Sequence, residues 1–159
     1  MNLNFYKKRK KDINLNVAVG DSGGVMNFYV INPDTLSTLS ESDAKRYQSL
    51  GEKIEKVVPV KTMTVADIVN TYSKGIFPDV LSLDAEGYDL AILKTIDWDV
   101  ARPKIICVES IPYNRKMRNY FESMQKSEMI RYLRDKNYSI AAFTGINAIL
   151  VDNSYLEAA

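Results

Sequence analysis

Three acidic side chains stand where this chain could most readily do chemistry. Asp84 and Glu86 belong to Asp84-Ala85-Glu86-Gly87, and Glu109 to Val108-Glu109-Ser110. Each group follows a short apolar run, Val80-Leu81-Ser82-Leu83 or Ile105-Ile106-Cys107-Val108, with the length and β-branched content of a buried strand. Ligands of open α/β sheets bind in the crevice outside the carboxyl ends of the strands. Asp84 and Glu109 are therefore expected to face one crevice from neighbouring strands, within roughly 10 Å given the ~4.8 Å strand spacing. Carboxylates placed there can take a proton from a hydroxyl or orient a substrate. Gly87 lets the backbone turn sharply behind Glu86. The plainer role for Asp84 and Glu86 is to cap the helix that follows, but capping needs one acid and the crevice has three. Their hard oxygens would suit Mg²⁺; the expectation is nonetheless a site without a metal.

The chain has no histidine. This removes Ser-His-Asp and Cys-His nucleophiles, His-ligated zinc and an imidazole proton shuttle, leaving acid–base work to carboxylates, Lys or Tyr. Gly20-Asp21-Ser22-Gly23-Gly24 repeats the sequence around the nucleophile of trypsin-like proteases. Without a histidine Ser22 has no general base, and the segment reads as a tight turn. Asp97-Trp98-Asp99 suggests a metal-dependent glycosyltransferase, but it follows a helix rather than a strand end and is set aside.

The elements that would position the acids follow from hydrophobic spacing. Residues 13–19 alternate apolar and polar and residues 25–31 are β-rich, so the two read as a hairpin about the glycine turn. Residues 32–51 form a polar loop running into a short helix, and Ser37 in this segment is a candidate substrate-binding residue with Glu109. Residues 57–61 read as a strand, placed at an edge by Pro59. Thr64 and Asp67 have the pattern of a capping box, opening a helix in which Val65, Ile68, Val69 and Tyr72 recur at helical spacing. Strands 80–83 and 104–108, a helix over 88–96, a helix over 114–136 broken near Ser127, and a hairpin over 139–151 complete the order. Alternating strands and helices predict an α/β fold with a mostly parallel sheet covered on both faces, in which Leu81, Leu83, Ile106 and Val108 are buried.

At 159 residues the chain suits a single domain, 46% hydrophobic and 26% charged. No apolar run reaches the roughly 18 residues of a membrane span. The net charge of +1 hides the run Lys7-Lys8-Arg9-Lys10-Lys11, and the remainder has 16 basic against 20 acidic residues, a net −4. Without further basic clusters or interleaved aromatics, that run reads as a solvated end, and neither nucleic acid nor a membrane is an expected partner. The single Cys107, flanked by apolar residues, reads as a buried thiol, consistent with a cytoplasmic setting.

The stretch Asp79-Val80-Leu81-Ser82-Leu83-Asp84-Ala85-Glu86-Gly87-Tyr88-Asp89 followed by Leu93 resembles the D-x-E-G signature of FkbM-type S-adenosylmethionine-dependent methyltransferases. Asn16-Val17-Ala18-Val19-Gly20-Asp21, residues 58–64, the strand ending at Glu109 and Lys136-Asn137-Tyr138 fall in that family's order. The resemblance runs from about residue 13 to residue 151 and implies a partial Rossmann-like class I methyltransferase fold with added β-hairpins. It implies O-methyl transfer to a hydroxyl of a sugar or secondary metabolite, with Asp84 and Glu86 catalytic and Glu109 and Ser37 binding a small-molecule or glycan substrate. The family also begins with a strand and a glycine-rich turn that holds the cofactor. Only 12 residues precede residue 13, without a glycine, and none of the seven glycines forms G-x-G. No cofactor-binding residue carries over. The expectation is one N-terminally truncated domain over 1–159, with 1–12 a basic lead-in and strand 80–83 an open apolar edge that could pair with a second copy. The alternative is a cofactor-deficient remnant acting as a non-catalytic interaction module.

Overall fold

Alternation, rather than continuous apolarity, organises the strands. The structure, a computed structural model, describes residues 8, 9, 11–110 and 120–156; the first residues of the helix expected over 114–136, and Lys7 and Lys10 of the basic run, lie outside these. In β5 (Ile105–Glu109), Ile106 and Val108 are fully buried while Ile105, Cys107 and Glu109 are half-buried. In β7 (Asn147–Asp152), Ala148 and Leu150 are buried in the same way. With β4 (Val80–Leu83) and β6 (Tyr138–Phe143) they form a sheet of order β4-β5-β7-β6. Register aligns Leu81, Ile106, Leu150 and Ile140 in one row, and Leu83, Val108, Ala148 and Phe143 in the next.

The helices cover that apolar face. A capping box between Thr64 and Asp67 opens α2 (Val65–Tyr72), which buries Val65 and Val69. Ile92 and Leu93 of α3 (Asp89–Leu93) are fully buried. Ser127 separates α4 (Tyr120–Lys126) from α5 (Glu128–Asp135) and caps the second by accepting the Ile130 N–H at 3.2 Å. Ile130 and Leu133 of α5 reach the same core, where Trp98 donates its indole N–H to Tyr132 Oη at 2.9 Å. Asn137, with φ 70°, ends this helical stretch in the left-handed cap its sequence suggests. A short α6 (Asn153–Leu156) follows β7.

The sheets are mixed and mostly antiparallel, which corrects the expectation of a mostly parallel one. β4 and β5, joined through α3, are the only neighbours in this sheet paired in parallel. β6, reached from β5 through α4 and α5, runs in the same direction but is separated from β5 by antiparallel β7. The Thr144-Gly145 turn reverses the chain, and β7 inserts antiparallel between β5 and β6. Burial corrects the doubly covered sheet as well. Leu83, Ile106 and Val108 are buried, but Leu81 and Cys107 are half-buried and Val80, on the end strand β4, is 54% exposed.

The hairpin expected over 13–31 is also replaced. β1 (Ala18–Val19) pairs in parallel with the end of β3 (Lys53–Met63), and β2 (Gly24–Asn32) runs antiparallel along β3, giving the order β1-β3-β2. The two long strands gain a far longer ladder from each other than either could from the two residues of β1. Pro59 thus lies in the middle strand, tolerated because β1 reaches only Thr62 and Met63. A second small core of Ile31, Leu36, Ala44 and Tyr47 packs α1 (Glu41–Ser49) and a 3₁₀ turn (Asp34–Leu36) against this arm. Because β5 supplies the centre of the main core, Ile106→Ala should lower stability by about 2–5 kcal/mol. Val25→Ala, at a largely exposed site, should change it by less than about 0.5 kcal/mol. Denaturant unfolding of both variants checks the contrast.

Candidate active site

Strand register brings the acids together. Leu83 lies opposite Val108 in the parallel pair, so the next residues, Asp84 and Glu109, leave the sheet side by side. The chain then turns back. Glu86 and Gly87 take left-handed conformations, with φ 48° and 91°, and the buried Asp89 carboxylate closes the loop by accepting the Ala85 N–H at 3.1 Å. Carboxylate oxygens of Asp84, Glu86 and Glu109 consequently lie within 4.8 Å of one another. Three oxygens this close could converge on one cation, and they are the described residues best placed to do so.

Burial and crowding favour the protonated forms of Glu109, Glu86 and Asp89. The Glu109 carboxyl is pushed up to about 7, first by burial, then by the charges of Glu86, Asp84 and Asp89 and by a hydrogen bond with Asp84. Glu86 is raised by burial and then by Asp84 and Asp89. Asp89 is raised by burial, which outweighs the backbone N–H of Ala85 pulling the other way. Beside them Tyr88 is pushed up to about 12 by burial and by its hydrogen bond to Asp21, which ties the Gly20–Gly24 turn to the acidic loop.

A cavity of about 360 Å³ opens over the acids, and its far wall comes from the small core. There Asp43, Arg46 and Tyr47 of α1 face Glu86, Asp89 and Glu109, with Thr35 and Leu36 at the rim. Ser40 Oγ donates to Asp43 at 2.7 Å, and Arg46 donates to the same carboxylate from Nε at 3.1 Å and Nη2 at 2.9 Å. Asp43 then rests against Gly87: a Cβ at Gly87 would lie 2.6 Å from Asp43 Oδ2. This glycine serves both a positive φ and a close approach. Burial first, and the charge of Glu86, raise the Tyr47 hydroxyl.

The structure thus joins Asp84, Glu86 and Glu109 but not Ser37. Ser37 Oγ accepts the Ile31 N–H at 3.0 Å and fastens the loop to β2, while its neighbours Thr35 and Leu36 reach the cavity. Asp97-Trp98-Asp99 is structural, since Trp98 is buried in the main core. Sequence reasoning missed Asp43, Arg46, Tyr47 and Asp89. The available signal was Ser40-Glu41-Ser42-Asp43, a helix-start pattern marking α1 as an ordered wall.

A methyltransferase FkbM domain model matches residues 2–140, a span that takes in all three acids and the α1 wall. The chain belongs to the FkbM methyltransferase family. No curated protein and no solved structure matches it. Among the described residues of this FkbM domain, no helix is long and apolar enough to cross a membrane.

The titration of Glu109 has a sign. Its folded value of about 7 lies above the unfolded glutamate value of about 4.3, so between them the folded state holds a proton that the unfolded chain has released. Stability should therefore fall as pH rises through this window, and Glu109→Gln should flatten the fall. Denaturant unfolding across the window checks this, with a carbon-13 titration of the glutamate carboxyls to assign it.

Proposed function

We propose that this FkbM domain serves methyl transfer to a substrate hydroxyl, with Glu109 taking the hydroxyl proton. The observation that carries this reading is a carboxyl titrating at about 7 beside two further acids at the floor of a cavity. A general base works best when its pKa lies near the operating pH, and this chain has no histidine to supply one. The sequence favoured Asp84 as base. Asp84 is exposed, whereas Glu109 is half-buried and lines the cavity, so Asp84 and Glu86 are better suited to orient the substrate hydroxyls, while their charges raise the basicity of the ionised Glu109.

The family implies S-adenosylmethionine, whose sulfonium supplies an already activated methyl group. The described residues fit only the acceptor side of that donor. Nucleotide cradles use a glycine turn that leads from a strand into a helix N-terminus, and here the Gly20–Gly24 turn leads from β1 into β2. This mismatch supports a second reading, that the chain is a cofactor-deficient remnant acting as a non-catalytic interaction module.

Two measurements separate the readings. Transfer of labelled methyl to a panel of sugars, with the donor in large excess, should drop by about 10²- to 10⁴-fold in Glu109→Gln, the usual worth of a general base. An unchanged rate removes Glu109 from the role, and no transfer by the unsubstituted chain favours the interaction module. Calorimetric titration of the 159-residue chain with S-adenosylmethionine alone should show weak or no binding, since each missing hydrogen bond is worth ~1 kcal/mol. A low-micromolar dissociation constant would mean that other residues build the cradle.

A further inference from the structure

The wall opposite the acids carries one guanidinium that its own helix only partly uses. Arg46 gives Nε and Nη2 to Asp43 Oδ1, at 3.1 and 2.9 Å, and beyond the neighbouring Tyr47 hydroxyl no further acceptor meets it among the described residues. The guanidinium lies 4.5 Å over the Tyr47 ring, and its side chain keeps 38% of its surface exposed. An i,i+3 ion pair on a helix surface is ordinarily worth little. This one is fixed on both sides: Asp43 is held by Ser40 and seated against Gly87, and Tyr47 is buried in the small core. A planar fork held in place this way loses little freedom when it makes a further hydrogen bond.

We propose that Arg46 is the specificity-determining residue of this site, donating from Nη1 to a second, neutral oxygen of the substrate whose hydroxyl faces Glu109. The proposal rests on the hydroxyl-acceptor reading above and adds its substrate class: a neutral compound with several oxygens, as in an uncharged sugar ring, rather than a lone alcohol or an acid. Two features select it. An acceptor-rich wall and a donor-rich wall face each other across one cavity, and a hydroxylated ring can satisfy both. Asp43 neutralises Arg46, so the described lining offers an anion no unpaired positive charge, while the acids opposite present carboxyl oxygens.

The test is an NMR titration of the full, nitrogen-15-labelled chain, observed on both ligand and protein, without methyl donor, using the methyl pyranosides of glucose, galactose, mannose and fucose, methyl glucuronoside, and cyclohexanol. At least one neutral pyranoside should bind about tenfold more tightly than cyclohexanol and than the glucuronoside, and should shift the Arg46 Nε–Hε resonance. Arg46→Met should erase that preference and leave cyclohexanol unchanged. Arg46→Lys, which keeps the charge without the fork, should weaken the pyranoside several-fold, and thermal melts confirm that both variants fold. Should either variant fail to fold, the resonance shift in the unsubstituted chain decides. The proposal fails if no neutral pyranoside outbinds cyclohexanol, if the glucuronoside binds best, if the preference survives Arg46→Met, or if the Arg46 resonance does not move. Failure of Glu109 as base appears separately, as methyl transfer insensitive to Glu109→Gln while the Arg46-dependent preference persists.

Discussion

Mutual repulsion among Asp84, Glu86 and Glu109 is what the surrounding structure must overcome. Carboxylates within 4.8 Å of one another disfavour each other's ionised forms, and left to itself the chain would separate them. Three features prevent this. The β4–β5 ladder delivers Asp84 and Glu109 at adjacent positions. The left-handed pair Glu86 and Gly87 turns the third acid back toward them. Asp89, buried and bound to the Ala85 N–H, closes the loop. Immediately beyond it Ile92 and Leu93 are fully buried, so the acidic loop is anchored by apolar burial on the side away from the cavity.

Two cores divide the task of making the cavity. The main core fixes the acids through β4, β5 and α3, while the small core of Ile31, Leu36, Ala44 and Tyr47 fixes the opposite wall. The walls meet where Asp43 rests against Gly87, so a close polar contact helps to set the spacing of the cavity. Any side chain at position 87 would push Asp43 away, and with it the residue that orients Arg46. Glycine at this point links the acidic turn to the recognition wall by sterics alone.

Sequence patterns revealed what is local. The apolar runs ending in Asp84 and Glu109, the Thr64–Asp67 capping box, the break at Ser127 and the cap at Asn137 each rest on interactions within a few residues, and each is found as read. Choices between distant partners were not legible. Nothing near residues 13–19 says that β3 will take the place beside β2, because that outcome depends on the relative lengths of ladders formed by separated segments. The antiparallel insertion of β7 is of the same kind. For the site, the acids were legible because they end apolar runs. Arg46 and Tyr47 were not, since their role comes from a second core whose members are scattered from Ile31 to Tyr47. Ser37 accepts the Ile31 N–H, so the structure shows it fastening the loop to β2 rather than among the cavity residues.

The proposed methyl transfer would need a proton acceptor that works near neutrality in a chain without histidine, and crowding acids is one physical route to it. Burial lifts Glu109, and neighbouring negative charges lift it further, so its basicity is a property of the group rather than of one residue. Because that lift is partly electrostatic, it is reversible: a positive charge brought to the mouth of the cavity would favour the ionised forms and release the proton. The α1 wall leaves this balance intact, since Asp43 offsets the charge of Arg46, and the guanidinium can stand in the same cavity without drawing the acids opposite into their ionised forms. Were Asp43 absent, Arg46 could swing toward Glu86 and Glu109, lower their pKa values and remove the base. The ion pair on α1 is therefore compatible with the raised pKa of Glu109 even though it sets an arginine within the same cavity.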